Sequence, residues 1–126
     1  MSQTVMVVDD SMMVRAQVRR VLVSAGFDVI EAGDGIAALE KARANPGLAL
    51  IIVDVNMPRM NGLDFLEALR REEHGREVPV VILTTEAQPD LAARARSLAA
   101  KGWIIKPFDA ALLTAAVKRL VGGKAA

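Results

Sequence analysis

An alternation constrains this chain more than any other feature. Short runs of apolar, largely β-branched residues recur along it, each followed by a stretch with helical spacing. Val5-Met6-Val7-Val8 has no polar interruption, which predicts a strand buried on both faces. Ser11 to Ala25 then carries Val14, Val18, Val21 and Leu22 on one stripe, and Gly26 suits the stop of that helix. Phe27 to Ala32 reads as a second strand. A helix capped by Asp34 runs to about Ala44, where Asn45-Pro46-Gly47 ends it. Leu48 to Val53 predicts a third strand, and Leu63, Leu66 and Leu69 predict a helix from Gly62 to about Glu72. Val78 to Leu83 follows as a strand, with Pro79 near its start, where a missing N–H is tolerated. An alanine-rich helix from Pro89 to about Ala100, a short strand Trp103 to Ile105, and a helix capped by Asp109 running to about Val121 complete the series. Residues 122–126 are expected to be a frayed tail.

Five strand–helix units of this kind imply an α/β fold, a parallel sheet covered by helices on both faces. Right-handed crossovers leave the two common doubly wound strand orders, and in either one ligands bind at the carboxyl ends of the strands. The length of 126 residues fits a single domain over 1–126, with its core at about 4–121. Sixteen basic residues face fifteen acidic ones for a net charge of +1, so there is no electrostatic footprint for nucleic acid. Apolar runs such as Leu48 to Val53 are far too short to cross a membrane. Met1-Ser2-Gln3-Thr4 has no signal-like character, and there is no cysteine. A cytoplasmic location is the expectation.

The chemistry stands where the strands end. Asp9 and Asp10 follow the first strand, Asp54 the third, Thr84 the fourth, and Lys106-Pro107 the fifth. Asp9 and Asp10 offer hard oxygen ligands for Mg²⁺ or Mn²⁺, although Asp10 or Ser11 also reads as a simple cap of the first helix. Asp54 ends an otherwise apolar strand. Two carboxylates ~5 Å apart repel by roughly 3 kcal/mol at an effective dielectric of about 20. Three clustered carboxylates therefore need a cation or a raised pKa. Such a carboxylate can also attack phosphorus, forming an aspartyl phosphate. Lys106 supplies a positive charge beside a Lys-Pro bond that can be cis, and Thr84 offers a hydroxyl. Each residue alone is weak evidence; four strand ends carrying compatible groups are strong evidence.

The set Asp9-Asp10, Asp54-Val55-Asn56-Met57-Pro58, Asn61-Gly62, Leu83-Thr84-Thr85 and Ile105-Lys106-Pro107-Phe108 resembles the receiver domains of response regulators. Within that family it is most similar to the stand-alone CheY-like chemotaxis regulators. The resemblance implies a flavodoxin-like, CheY-like (βα)5 domain of strand order 2-1-3-4-5. It implies Asp54 as phosphoacceptor, with Asp10 and Asp54 ligating the metal by side chain, Asn56 by its backbone carbonyl and Asp9 through water. Lys106 and Thr84 would hold phosphoryl oxygens. Trp103 stands at the switch aromatic, and Asn56 and Glu86 stand where dephosphorylation is tuned. The implied partners are a histidine kinase and a downstream protein target such as the flagellar motor or a phosphatase.

Two positions depart from the family pattern. Thr85 replaces a small residue, and its bulk near the phosphoryl pocket is expected to slow water or hinder the aromatic. Ala99 replaces a helix-ending glycine, and since a non-glycine residue at positive φ costs roughly 1 kcal/mol, a different helix ending is expected there. His74, in a charged loop, reads as a solvated side chain, and Met12 and Met13 as packing or rim residues. Other functions stay in view: a phosphate sink or relay intermediate without its own output, or, from another class, an Mg²⁺-dependent phosphatase of the haloacid-dehalogenase type. That phosphatase would want an acid two residues after its nucleophile, where this chain has Asn56. A flavodoxin-like cofactor module would want a hydroxyl-rich phosphate loop after the first strand, which is missing.

Overall fold

Every apolar run named above forms a strand and every periodic stretch a helix in the computed structural model, which describes residues 3–125. The elements are β1 (Thr4–Val8), α1 (Met12–Ser24), β2 (Asp28–Ala32), α2 (Gly35–Ala44), β3 (Leu50–Val53), α3 (Gly62–Arg71), β4 (Val80–Thr84), α4 (Pro89–Ser97), β5 (Gly102–Ile105) and α5 (Ala110–Ala125). Helix α5 continues past its expected end near Val121, because glycines permit a break without imposing one. Ala126, the last residue of the expected tail, lies outside the described residues, as do Met1 and Ser2.

The strands pair in parallel in the order β2-β1-β3-β4-β5. From β1 the chain goes to one side for β2 and returns to the other side for β3. The carboxyl ends of β1 and β3 therefore flank the crevice where such folds bind ligands.

Period-two alternation splits the core between the two faces of the sheet. Met6, Val8, Ile51, Val53 and Ile82 pack with Phe65, Leu66 and Leu69 on the α2/α3 side. Val5, Val7, Leu50, Ile52 and Leu83 pack with Val18, Leu22, Leu113 and Val117 on the α1/α5 side. The predicted caps form: Asp34 Oδ1 accepts from Ala37 N at 2.9 Å, and Asp109 Oδ1 from Leu112 N at 2.9 Å. Ser11 Oγ accepts from Val14 N at 3.2 Å, and Asn61 Oδ1 from Asp64 N at 2.8 Å.

Helices α1 and α4 end in the same way, on different residues. After α1, Gly26 has φ +96°, Phe27 N donates to Leu22 O at 3.0 Å and Gly26 N to Val23 O at 3.0 Å. After α4, Ala99 has φ 63°, Ala100 N donates to Ala95 O at 3.0 Å and Ala99 N to Arg96 O at 2.9 Å. Both are Schellman endings. The different ending expected from the missing glycine is thus corrected: Ala99 takes the glycine conformation. Its neighbourhood holds it there, because the Arg70 guanidinium donates to Leu98 O at 2.9 Å and Ala99 O at 3.2 Å. The same group also reaches Gly75 O at 2.9 Å and Val78 O at 2.7 Å.

Candidate functional site

The backbone ladder delivers the acidic residues. Asp9 N donates to Ala32 O at 3.1 Å and Asp54 N to Val8 O at 3.0 Å, so both residues prolong the sheet by one step beyond β1 and β3. Both are buried, at 3% and 7% exposure, whereas Asp10 is exposed. One oxygen from each of Asp9, Asp10 and Asp54 lies within 4.8 Å of the others. Gly62 permits this packing at the start of α3. A Cβ there would stand 2.0 Å from Asp54 O, so only glycine lets α3 approach the strand end so closely.

Lys106 closes the pocket from β5. Its backbone N donates to Thr84 O at 2.8 Å, and its ammonium lies 2.7 Å from Asp9 Oδ2 and 2.9 Å from Asp54 Oδ2. The Lys106–Pro107 peptide is cis. Burial pushes the Asp9 carboxyl above the ordinary 3.8, against the opposing hydrogen bonds from Lys106 and the Ser11 N–H. Burial acts to lower the Lys106 pKa, but the hydrogen bonds to Asp9 and Asp54 outweigh it and hold the ammonium above the ordinary 10.5.

Three carboxylates around one ammonium leave the pocket with excess negative charge. The donors are hard oxygens, and no hydrogen bond engages the Asp10 side chain among the described residues. That set suits a small hard divalent cation.

The β4 end is built differently. Thr84 is fully buried and its Oγ1 accepts from Glu86 N at 3.2 Å. Asn56 Nδ2 donates to Glu86 Oε2 at 2.6 Å, so the two expected tuning residues touch. The Asn56 N–H stands 3.4 Å from Asp54 Oδ1. The Trp103 indole packs against the α2/α3-side core and donates its N–H to Glu86 O at 2.9 Å. Thr85 is exposed and lines a groove with Val14, Lys106, Pro107 and Phe108.

Met12 and Met13 are rim residues, 75% and 72% exposed. His74 lies beyond α3, 3.2 Å from Glu72 Oε1, and takes no part in the pocket. Sequence reasoning missed Arg15, whose Nη1 donates to Asp9 O at 2.6 Å and whose Nε donates to Glu31 Oε1 at 3.0 Å. It also missed Arg19, which bonds Glu31 Oε2. The available signal was the i, i+4 spacing of Arg15 and Arg19, which places both on one face of α1.

A doubly wound sheet with an acidic, lysine-bearing pocket at its switch point defines an α/β module built to handle charged ligands. More narrowly, residues 5–118 match the response regulator receiver domain, and the chain belongs to that family. It is 35% identical over 118 residues to the chemotaxis protein CheY1 of Helicobacter pylori, covering 93% of this chain and 95% of that protein. It is 39% identical over 107 residues to the chemotaxis protein CheY of Treponema pallidum, covering 83% and 73%. Among solved structures, the chemotaxis protein CheY4 of Vibrio cholerae superposes with a TM-score of 0.89 at 37% identity, covering 95% of this chain and 99% of that one. Phosphorelay signalling is the function class of this family. No helix among the described residues is long and apolar enough to cross a membrane.

Proposed function

We propose that this chain is a cytoplasmic response regulator of chemotaxis or motility, a single receiver unit over residues 1–126 that accepts a phosphoryl group on Asp54. The observation that carries the reading is the meeting of Asp9, Asp54 and Lys106 at three strand ends, with ammonium-to-carboxylate distances of 2.7 and 2.9 Å. The donor is a phosphohistidine of a histidine kinase. An Asp54 oxygen attacks phosphorus, the P–N bond breaks, and the electron pair leaves with the imidazole, which takes a proton from solvent. Water later attacks the same phosphorus, returning the carboxylate and releasing phosphate. The chain is thus a phosphoacceptor with self-directed chemistry only.

Asp10 and Asp54 would hold Mg²⁺ or Mn²⁺ by side chain and Asn56 by its backbone carbonyl. Asp9 would act through water, consistent with its oxygens already accepting from Ser11 N and Lys106 Nζ. When bound, the cation neutralises charge on the transferring oxygens. Lys106 and Thr84 bind those oxygens, which add about −1.5 to −2 charge once attached. Drawing Thr84 toward them pulls the Glu86 N–H that its hydroxyl accepts from, and with it the Glu86 carbonyl that holds Trp103. The α4/β5/α5 surface then changes and a downstream protein reads it. Asn56, Thr85 and Glu86 set how readily water attacks.

The test is labelling by acetyl phosphate. Wild type takes up one phosphoryl group in Mg²⁺ and none in EDTA, and Asp54→Asn takes up none. Labelling of Asp54→Asn equal to wild type would refute the assignment. A pull-down of motility proteins with phosphorylated and unmodified forms then separates a regulator with its own output from a phosphate sink.

A further inference from the structure

The β1 end presents its two acids in different ways. Asp9 is buried, with Oδ1 accepting from Ser11 N at 2.9 Å and Oδ2 from Lys106 at 2.7 Å. Asp10 is exposed, and no hydrogen bond among the described residues engages its side chain. Its backbone must therefore aim it. The peptide plane joining Asp9 to Asp10 carries the Asp9 carbonyl, and that oxygen accepts a 2.6 Å bond from Arg15 Nη1. Arg15 is itself fixed: its side chain is 17% exposed, and its Nε donates to Glu31 Oε1 at 3.0 Å. The Arg19 guanidinium holds the second Glu31 oxygen. The chain of contacts runs from β2 through α1 to the turn that carries Asp10, and charge-assisted bonds of this type are strong and directional.

We propose that Arg15, anchored by Glu31, is a positioning residue for the divalent-cation site, fixing the Asp9–Asp10 peptide plane and so the direction in which Asp10 presents its carboxylate. The inference rests on Asp10 being a cation ligand. A purely electrostatic view predicts the opposite effect, since a guanidinium close to the pocket repels a divalent cation and its removal should tighten binding. The two views therefore differ in sign.

The probe is Mn²⁺ alone, with free ion measured by electron paramagnetic resonance on the full chain. Removing a group bonded directly to a metal ligand typically weakens affinity at least about tenfold, and because Arg15 acts one peptide away from Asp10, Arg15→Gln is expected to raise the Mn²⁺ Kd several-fold, up to about that factor. Arg19→Gln, which also loses a Glu31 contact but touches no part of the Asp9–Asp10 turn, is expected to bind like wild type. Arg15→Lys, which keeps a donor for the carbonyl, is expected to fall between wild type and Arg15→Gln. Circular dichroism in EDTA establishes that each variant is folded. Should Arg15→Gln not fold, Glu31→Gln provides the same reading with weaker binding expected. Equal or tighter Mn²⁺ binding by the variant, with wild type binding normally, overturns the positioning role and leaves the metal site standing. Absence of Mn²⁺ binding by wild type removes the metal site and this inference together.

Discussion

The carboxyl edge of the sheet has two halves that are held in place very differently. On the β1/β3 side, Asp9 and Asp54 are buried, bridged by Lys106, and backed by Arg15 and Glu31. On the β4 side, Thr85, Ala87, Gln88 and Pro89 are exposed, and Gln88, at the N-cap of α4, makes no side-chain cap bond. Helix α4 buries only Ala95. Its carboxyl end is nevertheless clamped, by the Schellman bonds and by Arg70. The acidic pocket thus sits where charge and burial fix side chains, and the lightly held segment beside it is tied in through Glu86, Asn56 and Trp103.

The hardest test of the rigid half is Lys106→Met, which leaves two buried carboxylates facing each other without an ammonium. Breaking such a pair is expected to cost about 3 kcal/mol in urea unfolding with EDTA present, and Mg²⁺ should recover part of the loss. The pH dependence has a definite sign. Lys106 is raised above 10.5 in the folded chain, so its stabilisation is complete below that pH and is lost as pH climbs through the raised value. The gap between wild type and variant should close at high pH; a constant gap would assign the loss to packing.

Next come the two helix endings, which separate strain from sequence. Gly26→Ala should lose about 1 kcal/mol, and Ala99→Gly should gain roughly 0.5–1 kcal/mol, both read by thermal unfolding. If Ala99→Gly destabilises instead, Arg70 rather than backbone strain governs that corner. On the loose half, Trp103→Phe removes the donor to Glu86 O while keeping the ring in place. It should lower amide protection at residues 85–88 by about 1 kcal/mol and leave acetyl-phosphate labelling unchanged. Protection equal to wild type would mean the indole does not tether the loop.

The smallest expected effect is that of Glu31→Gln, costing less than about 1 kcal/mol at neutral pH because the pair is partly solvated. Although burial acts to raise the Glu31 pKa, its bonds to Arg19 and Arg15 hold it below the ordinary 4.5. Its stabilisation is therefore present above 4.5 and lost as pH falls through the lowered value. Unfolding midpoints of the two proteins should converge in acid.

How much of this was legible beforehand can be argued from single residues. Val5 to Val8 could only be a doubly covered strand, since an uninterrupted apolar run has nowhere else to go, and Asp34 and Asp109 cap as their positions predict. The strand-end residues Asp9, Asp54, Thr84 and Lys106 were legible as a set because parallel strands bring their carboxyl ends to one edge. The bond from Arg15 to the Asp9 carbonyl was not, because a basic residue on an amphipathic helix carries no mark of which backbone oxygen it will meet. Ala99 shows the converse: local propensity argued against positive φ, and four carbonyls converging on Arg70 held it there regardless.

By itself, then, the order of residues determined the strand and helix series, the caps and the identity of the acidic and basic groups, all of which depend on near neighbours along the chain. Tertiary structure alone decided the Arg15–Glu31 support and the left-handed Ala99. Those depend on distances between segments remote in sequence, and such distances exist only after the helices have packed.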